Sequence, residues 1–578
     1  MKKIKHWTLL TAAMLLLSVM IIGCGKKSET SSSTASSESS GTSVTILTPV
    51  PKTSETPAES TESTAPAEES AGSTAESIPE EPEITVDETG NAQEGQTSTA
   101  DAVYSVVTGT GAITGQDDAT YEMMYQITYP YISLSDEDKE RYPALQAALD
   151  AKNQAFANSA AESESWYADA AAQSKEIDGE YFTMLYSEEE LSVVRADARA
   201  LSAVGFYSSY GGGAHGMYGY YGYNFDPETG NVIGIRDVVK DIPTLLTTIR
   251  ARVEAEYPGL SMMSADYTLT EENAENLQFA IGYQSLIFYF EPYLLASYAE
   301  GAQIIQIPFK GNENLLNEKY FEAPDHYGVD FVGGVAYEDL NGDGVPEKLE
   351  TKVSTDPENG AIQQVGLSIN GNSFMDEEEE FLGYSYLPTL VKAGQNLYLY
   401  VELMEENDFR YFRIYNLTGG QFSQCDESYF HFARSWMNTD DIQSRATLSN
   451  PDMVKMETRT DVLGTGSAYS WFYVGQDGRL VNYNEGYFLE HHEYSVLTLK
   501  QDLSVITIEP NRKYGQGKEA TLKAGSKVTG YFTDNETYVE LRDEDGDCYW
   551  VSGQFEEWPL TVGGIPMDDL FDGIMYAG

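Results

Sequence analysis

Positive charge is scarce in this chain of 578 residues: 35 lysines and arginines stand against 92 aspartates and glutamates, for a formal net charge of -57. Such a surface is repelled by nucleic acid and by anionic surfaces, so nucleic acid is not an expected partner. A cationic partner suits it, although acidity also serves simply to keep a surface protein soluble. Cysteine is scarcer still, with Cys24, Cys425 and Cys548 only. The last two are far apart in sequence, so there is no disulfide framework, and free thiols are expected, one bridge being the alternative. No CxxC pair is present for zinc. Histidine is limited to six residues, and no HExxH, GxSxG, Walker or dinucleotide motif occurs. Long apolar runs are absent except for Thr8–Ile22, which is too short for a comfortable membrane span.

That one run carries the clearest signal. Lys2, Lys3 and Lys5 precede it, and Ile21-Ile22-Gly23-Cys24 closes it. This resembles a bacterial lipobox, in which cleavage precedes the cysteine and lipid is attached to it. The resemblance implies lipidation at Cys24 and anchoring on the extracellular face of the cytoplasmic membrane, with 1–24 as signal peptide. Residues 25–101 are Ser, Thr, Glu, Ala and Pro with almost no aromatics. Such a segment cannot bury enough apolar area to offset its ordering entropy, so it reads as a disordered tether. As a flexible coil it would span about 50 Å root-mean-square, holding the folded part away from the membrane.

The remaining length predicts several domains at ~150 residues each. The folded part is organised around Tyr207–Gly230, a run of glycines and tyrosines about one histidine, His215. Gly211–Gly213 permit a tight bend, and Tyr221, Tyr223 and Phe225 alternate as in a strand. The segment therefore reads as a long hairpin with His215 beside the bend. Strands are predicted at 121–129, 181–186 and 192–206. A helix is predicted from the acidic turn after Ser135 to about Ala160 or beyond, with Leu145, Leu149 and Phe156 on one face. A second helix is predicted over 243–257, a hairpin about Gly282, a short helix at 292–299 and a strand at 304–309. This is an α+β pattern.

The order GGAHG, then an aromatic strand ending in FDPETG, then FYFEPYLLASYAEGAQIIQIPF at 288–309, resembles the DUF3298 domain. Residues 201–310 correspond to it, and 102–200 look like its usual companion, DUF4163. That pair occurs outside the membrane in a lysozyme-sensing anti-sigma factor and beside the catalytic domain of some peptidoglycan deacetylases. The resemblance implies an extracellular recognition domain of the cell envelope, with His215 and Tyr218 as candidate contacts. This chain has neither a sigma-binding segment nor a deacetylase domain.

The region 329–500 reads as β-rich. Asp339, Asn341 and Asp343 alternate in a loop with Gly344 at its turn. Hard oxygens at this spacing suit Ca2+, with Val345 offering a carbonyl, Glu347 a direct or water-mediated contact, and Glu350 at the twelfth position. Pro346 and the alternating flanks place the loop between strands rather than helices. The alternative is an Asn/Asp/Gly turn that binds nothing. Glu377–Glu380 reads as a solvated loop. Glu490-His491-His492-Glu493 is a poor zinc site, because neighbours on a strand point to opposite faces. His215 as a catalytic base would need a partner such as Asp226; a backbone hydrogen bond in the bend is the plainer expectation.

The end of the chain, 503–578, looks like a small bacterial SH3-like β-barrel. In that family an aromatic surface contacts peptidoglycan or peptides, which makes Tyr531, Tyr538, Tyr549 and Trp550 candidates, at least two of them expected in the core. The whole is expected to be a non-catalytic, lipid-anchored envelope protein that binds peptidoglycan or a cationic protein such as lysozyme. The alternatives are an enzyme acting on cell-wall glycan and a calcium-stiffened structural or adhesion lipoprotein.

Overall fold

A computed structural model describes residues 103–576, apart from 378, 407–408, 438–441, 491–494 and 509–513. The lipobox with Cys24, the tether and the His491–His492 pair lie outside the described residues.

The first sheet is seeded by alternating sequence. Strands β1 (Val106–Gln116) and β2 (Met123–Leu134) form a hairpin, and β3 (Leu185–Asp197), β4 (Ala200–Tyr210) and β5 (Met217–Phe225) form a meander. β2 and β3 pair in parallel, joined by a helical crossover. Helix α1 (Asp136–Arg141) is capped by Ser135, and α2 (Pro143–Asp178) follows at once. Its buried residues are Leu145, Leu149, Phe156, Ala160, Tyr167 and Ala171. They recur at intervals of four and seven, an 11-residue repeat that holds one face of a nearly straight helix on the sheet. The helix is about 54 Å long. It outruns the clear hydrophobic pattern because its second half is carried by alanine, the best helix former.

The stretch read as one strand over 192–206 is two. Asp197 Oδ1 accepts from Arg199 N (2.8 Å) and Ala200 N (3.1 Å), folding a tight turn without glycine or proline. The Gly/Tyr stretch forms the expected hairpin of β4 and β5, paired Tyr207 to Gly219 and Gly205 to Tyr221.

Helix α3 (Ile242–Glu256) packs Leu245, Ile249 and Val253 on β6 (Gln278–Ile281), β7 (Ser285–Phe290) and β8 (Gln303–Pro308). This three-stranded unit crosses the hairpin where β5 has no side chain. A Cβ on Gly222 would lie 2.1 Å from Phe279 O. The predicted helix at 292–299 is instead a turn ending in a 3-10 segment, Tyr298–Glu300, with Tyr293 at φ 76°.

Two sheets follow. β10 (Val335–Glu338), β11 (Glu347–Thr355), β12 (Ile362–Ile369) and β13 (Asn372–Met375) form one. The other has the order β17-β16-β15-β14-β9, made by β9 (His326–Asp330), β14 (Ser385–Ala393), β15 (Asn396–Met404), β16 (Arg410–Asn416) and β17 (Ser423–Ser428). Their facing side chains, among them Leu349, Leu367, Leu399 and Val401, share one core. The opposite face of the five-stranded sheet is buried too, through Tyr400 and Phe412 against Phe432 and Phe472. That accounts for the apolar run Leu397–Val401 within β15.

The chain then returns to its beginning. β18 is His431–Phe432; β19 (Arg434–Met437) and β20 (Ile442–Ala446) join β1, giving the order β19-β20-β1-β2-β3-β4-β5. Gly109 makes this possible, since a Cβ there would meet Gln443 O at 2.6 Å. Lastly come β21 (Val454–Thr460), β22 (Gly466–Val474), β23 (Leu480–Asn482), β24 (Tyr487–Leu489), β25 (Leu497–Leu499), β26 (Leu503–Thr507), β27 (Glu519–Leu522), β28 (Lys527–Thr533), β29 (Tyr538–Asp543) and β30 (Cys548–Gln554). They belong to one sheet whose path runs β18-β21-β22-β24-β28-β29-β30-β26-β27. Among the described residues no closed barrel forms; the C-terminal strands continue the sheet of the region before them through β24 and β28. The architecture is multidomain and β-rich with few helices. Among the described residues no helix is long and apolar enough to cross a membrane.

Candidate binding face on the glycine–tyrosine hairpin

The tip of the β4–β5 hairpin brings together aromatics from two parts of the chain. His215 is exposed, and its ring stacks on Tyr298 at 4.1 Å between centroids. Its Nδ1 donates to Gly216 O (2.9 Å), so the backbone of the bend holds it, as the plainer expectation had it. Asp226 is not its partner: that carboxylate accepts from Thr229 N (3.1 Å) and Lys319 Nζ (2.7 Å). Tyr218 lies edge-on to Tyr298 at 6.2 Å, and its hydroxyl accepts from Ala302 N (3.2 Å). Tyr293, half exposed, completes the group 5.8 Å from Tyr298. Tyr293 and Tyr298 were missed from sequence. The signal was present in the tyrosine-rich run after β7, but nothing local tied it to a bend eighty residues earlier.

On the other side of the tip lies a polar cavity of about 290 Å³, between the end of α2 and the bend. Ser174, Asp178, Tyr181, Thr183 and Tyr210 line it with Gly212 and Gly213. Tyr210 OH donates to Gly213 O (3.1 Å), fixing one wall. Gly212 (φ 92°) and Gly213 (φ 102°) take backbone angles that side-chain-bearing residues rarely adopt, which keeps the rim open. Gly211 seats on Trp166, whose ring would be 2.7 Å from a Cβ.

Further down the hairpin, two carboxylates latch it to its surroundings. Tyr207 OH donates to Glu291 (2.6 Å) and Tyr223 OH to Glu189 (2.8 Å). Burial raises the pKa of both carboxyls. Glu291 fills the space above Gly219, so this contact anchors the end of β7 to β5.

The other candidates are scattered. The loop 339–347 does lie between strands, β10 and β11. Asp339 accepts from the amides of Gly342 (2.8 Å) and Gly344 (2.6 Å), Asn341 from Asp343 N (2.9 Å), and Asp343 from Val345 N (2.7 Å). Glu347 accepts from Leu340 N (2.9 Å), and Glu350 pairs with Lys348 (3.1 Å). The oxygens are thus turned onto loop amides. Among the described residues no three acidic, His or Cys side chains converge as a metal group. Lys310 donates to Asp343 O, bringing an ammonium to the same loop.

In the C-terminal region Tyr531 and Trp550 are buried, at 2% and 1% exposure, so these two are core residues and not surface contacts. Tyr538 stacks on Tyr514 at 4.5 Å and stands edge-on to Trp550 at 4.9 Å. Tyr549 OH donates to Asp543 (2.9 Å) in a hairpin turn. Cys425 and Cys548 lie in different sheets, their thiols donating to Ile414 O and Gly546 O.

Comparison with known proteins bears on one part of the chain. A crystal structure of a DUF3298-family member from Bacteroides fragilis NCTC 9343 is 18% identical, covers 38% of this chain and 96% of that one, and has a TM-score of 0.28. A DUF3298-family protein from Pseudomonas aeruginosa PAO1 is 14% identical, covering 39% and 99%, with a TM-score of 0.26. No curated protein matches the chain. The family profile described as "Protein of unknown function (DUF3298)" matches residues 240–310, which take in α3 and β6 to β8 and stop short of the hairpin. On that profile match, residues 240–310 form a DUF3298 domain.

Proposed function

We propose that the protein is a non-catalytic, lipid-anchored binding protein of the bacterial cell envelope, presented on the extracellular face of the membrane and recognising peptidoglycan through the hairpin tip. What carries this reading is the polar cavity on one side of the bend, with the half-exposed Tyr293 and the His215–Tyr298 stack on the other. Sugars offer hydroxyls and amides to such a cavity, and their flat apolar faces pack on aromatic rings. The lipobox at Cys24 and the tether supply location. A DUF4163-like reading of 102–200 and an SH3-like reading of the end of the chain belong to the same proposal. The latter is supported by the pairing of Phe571–Asp572 with β25, of β25 with β28, and of β28 to β30 in succession. In the test, full-length protein is sedimented with purified peptidoglycan. Tyr210→Ala with Tyr298→Ala is expected to cut the bound fraction at least about tenfold, the effect of ~1.4 kcal/mol. Retention unchanged by both substitutions sinks the assignment to this face.

A second reading, a cationic protein of the lysozyme kind as ligand, is favoured by the acid excess of the chain, which speeds encounter with a basic partner. We also propose Ca2+ at the loop 339–347, where every candidate donor is a hard oxygen. Saturating calcium at ~100 times its dissociation constant would add about 2.7 kcal/mol and raise the melting temperature by about 5 °C. Asp339→Asn with Asp343→Asn should abolish that rise. A melting curve identical in calcium and in chelator refutes the site.

A further inference from the structure

One end of the five-stranded sheet carries an aromatic patch that faces solvent. Phe381 is 49% exposed, Phe409 39% and Tyr429 61%. Three segments converge to build it. Tyr384 N donates to Met404 O (2.8 Å), laying 381–384 along the end of β15. Glu405 N donates to Phe409 O (2.8 Å), which turns Phe409 back over that end. Tyr411 OH donates to Leu382 O (3.3 Å), tying β16 to the first segment. The rings adjoin: Phe381 is 5.7 Å from Tyr384, and Phe409 is 6.2 Å from Tyr429. Clustered exposed rings with a polar rim mark an interaction surface more often than scattered single ones do.

The rim has one sign. From Asp376 to Phe430 the sequence holds 11 acidic residues and 3 basic ones, Lys392, Arg410 and Arg413. Both arginines are turned inward. The Arg413 side chain is 8% exposed and held by Glu380 and Glu427; Arg410, 16% exposed, faces Glu402 at 3.9 Å. Glu379, two residues before Phe381, and Glu406 are exposed, and Glu405 is half-buried. Glu406 accepts from Tyr384 OH (3.2 Å), which fixes it at the edge of the patch.

We propose that this patch docks a cationic polypeptide, whose lysine and arginine side chains lie over the rings and pair with the surrounding carboxylates. A second copy of this chain would bring the same acidic rim and be repelled. The inference rests on the second reading above and gives it a surface, distinct from the hairpin tip.

The test uses the full-length protein and a 20-residue peptide of lysine and arginine, with binding measured at 50 and 300 mM salt. Wild type is expected to bind and to lose at least tenfold in affinity at the higher salt. Phe381→Ser, Phe409→Ser and Tyr429→Ser combined leave the charge unchanged and should weaken binding about tenfold at either salt. Glu405→Gln with Glu406→Gln should weaken it too, and that variant decides if the first fails to fold. Equal binding by wild type and both variants overturns the patch while leaving the cationic-partner reading in place. No binding by wild type overturns both.

Discussion

Replacing Arg195 with methionine should destabilise the protein by about 3–5 kcal/mol, the typical cost of stripping one partner from a buried ion pair. Arg195 has no exposed surface, and Asp197 is 2% exposed. The guanidinium pairs with Asp197 at 2.8 Å and donates to Gly282 O (3.0 Å), Tyr320 O (2.8 Å) and Glu322 O (2.7 Å). One side chain on β3 thus fixes the β6–β7 turn and the connection after the DUF3298 domain. Methionine keeps the volume but leaves an unpaired carboxylate and three carbonyls without their donor. Adding Asp197→Asn should restore part of the loss, because the amide oxygen still accepts from Arg199 and Ala200 while the buried charge is gone. Urea denaturation monitored by tryptophan fluorescence gives both values. A loss under about 1 kcal/mol for Arg195→Met would mean that water or rearranged backbone replaces the guanidinium.

The second large effect concerns pH. Glu338 is 1% exposed, and burial raises its pKa from an ordinary 4.5 to about 7. Tyr327 OH (2.7 Å) and Gln284 Nε2 (2.6 Å) both donate to its Oε1 and offset burial only in part. The fold therefore prefers the neutral acid. Its contribution is fully present below pH 4.5 and is lost as pH rises through 7. The span from 4.5 to about 7 corresponds to about 3 kcal/mol. Glu457 is raised to about 7 as well, first by burial and then by Glu490, and acts in the same direction. Glu338→Gln should match wild type near pH 4.5 and exceed it by about 3 kcal/mol at pH 8. A variant whose stability runs parallel to wild type between those pH values would show that Glu338 ionises freely in the fold.

Much of the architecture was legible locally. Alternating tyrosines and glycines located the β4–β5 hairpin, and the spacing of Leu245, Ile249 and Val253 located α3. The loop 339–347 was correctly set between strands because Pro346 and its alternating flanks forbid helices. What escaped was fixed at long range. The turn between β3 and β4 depends on the side chain of Asp197 rather than on glycine or proline. Trp550 and Tyr531 look alike in sequence to exposed aromatics, and only the packing of β28 to β30 buries them. The hairpin tip acquires Tyr293 and Tyr298 because the three-stranded unit crosses β5 at Gly222, where β6 presents Phe279, a contact that no residue near His215 announces. At the end of the chain the pairing of β24 with β28, which joins those strands to the sheet before them, is another contact that no local pattern marks.

The pairing of β1 with β20 has a consequence for how the chain comes to fold. Val107 meets Ala446, more than 300 residues away. Such contacts pay a large loop-closure entropy before they return anything, and they slow folding. During synthesis the first sheet waits, with the edge of β1 open to other chains, until residue 446 has emerged. The strands Arg434–Met437 and Ile442–Ala446 are thus the late-arriving clasp of the first sheet, which is begun first and closed only after the intervening sheets have been made.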